Sequence, residues 1–127
     1  LVVFTCSGGM RMQTNQFSLQ AIPKTLIAVD MVKDAKLPYI VVLTDPTSGG
    51  VSASFGMVGD VTIAEPNASI MFAGASVTKN TTGETMPEDV QKAEYLLEHG
   101  FVDQIVHRRD IRDSLAQIMS ILLKRAA

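Results

Sequence analysis

Residues 39–44 read Tyr-Ile-Val-Val-Leu-Thr, and no other stretch limits the possible folds so much. The run is apolar and β-branched, with no polar alternation. It offers no face to water, so it predicts a strand covered on both sides. Such a strand needs a parallel sheet with helices packed on its faces, and the rest of the chain alternates accordingly.

Residues 1–5 form a shorter apolar run that ends at the turn signal Ser7-Gly8-Gly9. Leu19, Ile22, Leu26 and Val29 recur at helical spacing and would share one face. Pro23 falls among them, which predicts either a kink or a second helix beginning there. Lys36-Leu37-Pro38 closes this stretch. Residues 45–50 read as a turn-rich loop and residues 51–57 as a short buried helix. Residues 61–64 and 69–72 read as two strands. Residues 74–86 are polar and Thr-rich without periodicity, and are expected to form a loop or an irregular lid. Pro87 opens a helix that Gly100 stops. A strand over 101–106 and a helix over 110–124 complete the chain. Ile111, Leu115, Ile118, Met119 and Leu122 lie on one face of that helix.

The 127 residues fit one domain or part of one, and 46% are hydrophobic, enough for a core. Net charge is −2, with no basic block and no aromatic residues interleaved for base stacking, so no nucleic-acid footprint is present. Charged residues at 19% are sparse, which hints at surface covered by a partner. Cys6 is alone, so an internal disulfide and a cysteine-only zinc site are excluded. No apolar run has the length of a membrane span. The chain opens in a strand without Met or a signal-type leader, which suggests that a longer protein begins upstream. Asn67 and Asn80 match the glycosylation pattern, which carries meaning only in a secreted protein.

Two units share one plan: an apolar strand, a glycine pair, then a helical stretch. Glycine pairs let a backbone approach a ligand closely. The start of a helix leaves N–H groups unpaired, and these suit a phosphate or a carbonyl oxygen that becomes negative. Neither pair fits the dinucleotide or Walker pattern. Two such turns on neighbouring strands would form an oxyanion hole.

Ser7-Gly8-Gly9-Met10-Arg11-Met12-Gln13 resembles the S-G-G-A-R-M-Q loop of acetyl-CoA carboxylase carboxyltransferase β subunits. Residues 37–39 and 43–55 are similar to that family's L-P-Y and L-T-D-P-T-x-G-G-V-S-A-S-F. Gly59-Asp60, residues 63–66 and 72–74, and residues 92–103 follow in family order, so the likeness covers nearly the whole chain. The resemblance implies an α/β, crotonase-like (ClpP/crotonase) fold of ββα units. Residues 1–127 would be the C-terminal part of a carboxyltransferase domain. It also implies transfer of a carboxyl group from carboxybiotin, borne on a carrier protein, to acetyl-CoA, giving malonyl-CoA for fatty acid biosynthesis. In the family, the biotin nitrogen freed of CO2 takes a methyl proton, and backbone N–H groups hold the enolate.

By motif position, Gly8, Gly9, Gly49 and Gly50 form the oxyanion-hole region, with Met10, Arg11 and Val51 binding substrate. The implied partners are the carboxyltransferase α subunit and the biotin carboxyl carrier protein, in an α2β2 hetero-oligomer without membrane or nucleic acid. The implied setting is the cytoplasm or the plastid stroma. Zinc belongs only to a four-cysteine N-terminal segment of the family that this chain lacks; no metal site is expected here.

The chain also departs from the family. Met10 stands where Ala is usual, Pro23 interrupts a helix, and residues 75–80 replace a stretch like P-R-V-I-E-Q. These departures motivate a second reading, a non-catalytic remnant that only binds the partner subunit. A third is a Clp-like serine hydrolase with Ser54 or Ser52 as nucleophile, which would need His99 or His107 as base. Otherwise His99 complements a helix end, Asp45, Asp60 and Glu65 cap turns, and Cys6 is a partly buried bystander.

Overall fold

In the computed structural model, which describes residues 1–14, 16–83 and 87–124, the predicted central strand lies inside a wholly parallel sheet. Strand β1 spans Val2–Ser7, β2 Ile40–Ser48, β3 Val61–Ala64, β4 Ile70–Met71 and β5 Gln104–Ile105. The spatial order is β1-β2-β3-β5, and β4 pairs with the far end of β2. Val2 to Thr5 register with Ile40 to Leu43, and Ile40 to Leu43 register in turn with Val61 to Ala64.

The absence of alternation in β2 has the predicted cause. Ile40 and Val42 face a core formed with Ile63, Val106, Ile111 and Leu115. Val41 and Leu43 face a second core containing Tyr39, Val29, Ala64, Ile70, Ala93 and Val102. All four central residues are at most 1% exposed. Each contributes on the order of 1.5–3 kcal/mol of burial, as an upper estimate.

Helices cover both faces. Helix α1 (Gln16–Asp34) runs unbroken through Pro23, so no second helix starts there. Loss of one N–H is tolerated because the rest of its ladder holds. Thr25 Oγ1 lies within hydrogen-bonding distance of the carbonyls of Ala21 (3.0 Å) and Ile22 (2.8 Å) beside the proline. Only part of the predicted face finds the core. Val29 is buried, whereas Leu19 is exposed and Phe17 is 84% exposed. Helix α4 (Ile111–Leu122) buries Ile111 and Leu115 as its periodicity predicts.

Four expectations are corrected. Strand β2 does not stop at Thr44 but continues through Asp45 and Pro46 to Ser48, where Thr47 and Ser48 pair with Ile70 and Met71. Residues 51–57 form turns and a 3-10 turn at Phe55–Met57 rather than a helix. The expected lid contains helix α2 (Ala75–Thr82), closed by Gly83 at φ 75°; residues 84–86 of that expected lid lie outside the described residues. Its threonines hide it from periodicity, because Thr78, Thr81 and Thr82 return their hydroxyls to carbonyls four residues back. The helix expected from Pro87 is split into a 3-10 turn (Glu88–Gln91) and α3 (Ala93–Glu98). Lys92 is extended between them, because it bridges to Ser69 while the Ala93 N–H is held by the Ala68 carbonyl. Gly100 at φ 75° stops α3 as expected.

Candidate functional site: two glycine turns in contact

Hydroxyl groups where β1 meets β2 bring the glycine turns together. The β1–β2 register shifts between Thr5 and Ser7. At that irregularity Thr44 Oγ1 donates to the Thr5 carbonyl at 2.6 Å, and Ser48 Oγ donates to the Ser7 carbonyl at 3.1 Å. Thr5 and Thr47, both buried, join their hydroxyls at 2.9 Å. Side-chain hydroxyls thus tie the strands where the backbone register shifts. Sequence reasoning missed this clamp, because residues 44–48 look like a loop when read alone.

The first turn leaves β1 at Ser7. The Gly9 N–H donates to Ser7 Oγ at 3.1 Å, and Gly9 has φ 111°. The second turn leaves β2 at Ser48. Gly49 has φ 63°, and its N–H is shared between the Met71 and Phe72 carbonyls, each at 3.2 Å. The two turns touch here: a Cβ on Gly49 would sit 2.8 Å from the Cα of Gly9. Only glycine at position 49 permits both the approach and the positive φ.

Beyond Gly49 the chain makes a single helical turn, closed by the Ala53 N–H on the Gly49 carbonyl at 2.9 Å. As at any helix start, the first N–H groups of this turn, those of Gly50, Val51 and Ser52, have no acceptor among the described residues. The same is true of Gly8 and Met10 in the first turn. The four glycines therefore divide the work. Gly9 and Gly49 give their N–H groups to the scaffold, while those of Gly8 and Gly50 remain open. Open amides on two touching turns are donors of the kind that can hold an oxygen gaining negative charge.

Met10 lies over the second turn. Its Cγ and Sδ stand 2.6 and 2.7 Å from where a Cβ on Gly50 would be. Arg11 is exposed, and its carbonyl accepts from Thr14 and Ser18. Val51 lies half-buried on the helical turn.

The serines brace this turn. Ser54, buried, donates its hydroxyl to the Gly50 carbonyl at 2.5 Å. Ser52 Oγ lies 2.9 Å from the Gly49 carbonyl and 2.7 Å from that of Met71, and its one proton serves one of them at a time. Neither has a histidine partner. His99 contacts the Tyr95 carbonyl and stacks on Tyr95, and His107 faces Arg109. Cys6 is exposed rather than partly buried, and contacts the Asp45 carbonyl.

Asp45 and Asp60 cap backbone N–H groups, those of Ser69 and Tyr39. The hydrogen bonds from Ser69 hold the Asp45 carboxyl below the usual carboxylate range. Glu65 is not a turn cap. Only 8% exposed, it pairs in two-pronged fashion with Arg108 at 2.6 and 2.9 Å. That hydrogen-bonded guanidinium holds the Glu65 carboxyl low. Among the described residues no cluster of three or more His, Cys, Asp or Glu could hold a metal ion, and no helix is long and apolar enough to cross a membrane.

No protein-family model matches the chain. Among curated proteins, acetyl-coenzyme A carboxylase carboxyl transferase subunit beta of Bartonella grahamii is 52% identical over 127 residues, all of this chain and 42% of its own length. The subunit of the same name from Granulibacter bethesdensis is 57% identical over 121 residues, 95% of this chain and 40% of its own. The chain therefore spans about two-fifths of the length of these relatives.

Among solved structures, transcarboxylase 12S with methylmalonyl-coenzyme A and methylmalonic acid bound superposes with a TM-score of 0.78 at 28% identity, covering 94% of this chain and 23% of that one. A Pseudomonas malonate decarboxylase heterodimer superposes at 0.78 and 20% identity, over 94% of this chain and 52% of its own. An enoyl-CoA hydratase from Bacillus anthracis gives 0.62 at 16% identity, over 92% and 50%. The last two speak for the crotonase-like fold alone, and they match the parallel sheet described above. By sequence and fold together, the chain is a homologue of the C-terminal part of acetyl-CoA carboxylase carboxyl transferase subunit beta.

Proposed function

We propose that residues 1–127 are the C-terminal part of a carboxyltransferase domain. Its glycine turns would hold the enolate oxygen of acetyl-CoA during transfer of a carboxyl group from carboxybiotin, with malonyl-CoA for fatty acid biosynthesis as product. The observation that carries this reading is the contact of Gly9 with Gly49 beside the open N–H groups of Gly8, Met10, Gly50 and Val51. Carboxybiotin, borne by a carrier protein, supplies the carboxyl group and, once relieved of it, the base. The chain then needs no catalytic carboxylate or histidine of its own. Its part is to orient the thioester carbonyl and to stabilise the charge on its oxygen through fixed amides, worth on the order of 10²–10³ in rate for one donor.

The name of the relatives, a β subunit, supports assembly with a carboxyltransferase α subunit and a biotin carboxyl carrier protein. Arg11, exposed at the mouth of the first turn, is the side chain available to an anionic part of the substrate. The setting consistent with this chemistry is the cytoplasm or the plastid stroma.

The test uses the full-length subunit carrying this sequence, assembled with the α subunit and biotinylated carrier, and follows malonyl-CoA formation. Gly50 occupies the first position of its helical turn, where proline is tolerated; the ring removes an N–H and also displaces the Met10 side chain, so Gly50→Ala, which brings the same Cβ but keeps the N–H, is the control. Gly50→Pro is therefore expected to lose about 10²-fold or more in kcat while circular dichroism stays native. A folded Gly50→Pro assembly with undiminished turnover would overturn the amide cradle.

A further inference from the structure

The open N–H groups assigned above to the thioester oxygen are those of Gly8, Met10, Gly50 and Val51. Each shares a planar peptide group with the carbonyl of the residue before it. Those carbonyls belong to Ser7, Gly9, Gly49 and Gly50, and a serine hydroxyl meets every one. Ser48 Oγ donates to the Ser7 carbonyl at 3.1 Å, and Ser54 Oγ to the Gly50 carbonyl at 2.5 Å. Ser52 Oγ lies 2.9 Å from the Gly49 carbonyl, and Ser7 Oγ lies 3.5 Å from that of Gly9. The open N–H of Ser52 is backed by backbone instead, because the Val51 carbonyl accepts from Ser54 and Gly56. The N–H groups spent on the scaffold are treated differently. Gly9 and Gly49 share their peptide groups with the carbonyls of Gly8 and Ser48, and among the described residues no side-chain hydroxyl reaches either.

These peptide groups are trans, so the C=O and the N–H of each point in opposite directions. A hydroxyl on the carbonyl therefore acts on the N–H in two ways. It fixes the plane, and with it the direction in which the N–H is presented. It also draws electron density to the carbonyl oxygen and makes the N–H a stronger donor, by about 10–30% for such chained bonds. Ser52 and Ser54 reach back three and four residues, as serines in helical turns commonly do. Ser48 has no such local reason. It reaches Ser7 from the neighbouring strand, 41 residues away. Among the described residues no other side chain from outside the first turn bonds to Ser7, Gly8 or Gly9. The family motif leaves position 48 variable, so this tie belongs to the chain rather than to the motif.

We propose that Ser48 and Ser54 are positioning residues for the open amides, Ser48 through the Ser7–Gly8 peptide group and Ser54 through the Gly50–Val51 peptide group. Their hydroxyls orient and polarise the donors that hold the thioester oxygen, one on each turn. Ser52 divides its proton with the Met71 carbonyl and the Ser7 contact is long, so these two contribute less. The proposal deepens the carboxyltransferase reading and rests on it. Neither hydroxyl touches a reacting atom in this scheme. A donor worth on the order of 10²–10³ in rate that loses about 10–30% of its strength costs roughly 2–8-fold.

The experiment compares wild type, Ser48→Ala, Ser54→Ala and Ser48→Thr in the assembled full-length enzyme. Malonyl-CoA formation gives kcat and KM. Infrared difference spectra of bound acetyl-CoA, isotope-labelled at its carbonyl carbon and without carboxybiotin, report how strongly the amides polarise that carbonyl. Each alanine variant should lose roughly 2–8-fold in kcat, with KM for acetyl-CoA within about 2-fold of wild type. The carbonyl band should lie at a higher wavenumber than in wild type, because weaker donors polarise it less. Ser48→Thr returns the hydroxyl and should recover most of both effects. An unmoved band and unchanged kcat in folded alanine variants would overturn the positioning role and leave the carboxyltransferase reading standing. So would a loss of kcat with an unmoved band that threonine does not recover, which is the mark of a purely structural residue. Absence of acetyl-CoA binding and turnover in wild type and variants alike would sink both.

Discussion

The two glycine turns differ in how firmly they are held. The second is braced from several sides. Gly49 gives its N–H to Met71 and Phe72, Ser52 and Ser54 hold carbonyls of the helical turn, and Thr44, Thr47 and Ser48 hold the strand beneath it. The internal ties of the first turn both join Ser7 and Gly9: the Gly9 N–H donates to Ser7 Oγ at 3.1 Å, and Ser7 Oγ donates to the Gly9 carbonyl at 3.5 Å. It is held otherwise at its two ends, by Ser48 Oγ on the Ser7 carbonyl and by Thr14 and Ser18 on that of Arg11, and by contact with the second turn. One wall of the cradle is therefore set by the sheet, and the other leans on it. Under the carboxyltransferase reading proposed above, that asymmetry would let the fixed amides supply the electrostatics while the less braced wall supplies the fit.

The sharpest way to break the comparison is Gly49→Ala. The left-handed φ alone costs about 1–2 kcal/mol, and the new Cβ would press to 2.8 Å on the Cα of Gly9. The turns must separate, and a displacement near 1 Å costs on the order of 10² in rate. Thermal melting and malonyl-CoA assay of the assembled enzyme should show both losses. Gly50→Ala is the counterpart, since its Cβ meets only the flexible Met10 side chain. It should change stability by less than about 1 kcal/mol. Equal damage from the two substitutions would show that the turns do not differ as described.

Ser54→Ala tests the bracing of the second turn. Loss of a buried hydrogen bond, with the Gly50 carbonyl left without it, should cost about 1–2 kcal/mol in urea unfolding. Hydrolase chemistry would demand more of this residue than stability. Fluorophosphonate labelling at Ser54 or Ser52 should be absent, because both hydroxyls lie on carbonyls without a histidine.

The smallest effect is the response to acid. Asp45, hydrogen-bonded to Ser69, ties β2 to the segment entering β4, and Glu65 ties β3 to Arg108. Both carboxyls are held below their unfolded values. Their contribution is thus complete above about pH 4.5 and is lost as pH falls through the lowered native values. Asp45 and Arg108 are exposed, so solvent screening keeps each effect modest. Melting temperature should decline below about pH 4.5 in wild type, and the decline should be shallower in Asp45→Asn. An identical slope in that variant would remove Asp45 from the anchoring of the second turn.

What the sequence determined by itself was whatever depends on local pattern. Five apolar residues in a row, Tyr39 to Leu43, required a strand buried on both sides, and residues 40–43 are so buried. The spacing of Ile111 and Leu115 placed α4 on the sheet, and Gly100 ended α3. The glycine pairs announced close backbone approach, and the order of motifs carried the likeness to the family. The tertiary structure decided what depends on partners far apart along the chain. Residues 45–48 continue as strand because Ile70 and Met71 pair with that end of β2, and Lys92 breaks a helix because the backbone of Ser69 reaches it. Which amides stay open was decided the same way. Gly49 lost its N–H to carbonyls over twenty residues away and Gly50 did not, a difference that two adjacent glycines cannot express in sequence. Local pattern sets what each segment can do with its own atoms, whereas hydrogen-bond partners across the sheet exist only once the chain has folded.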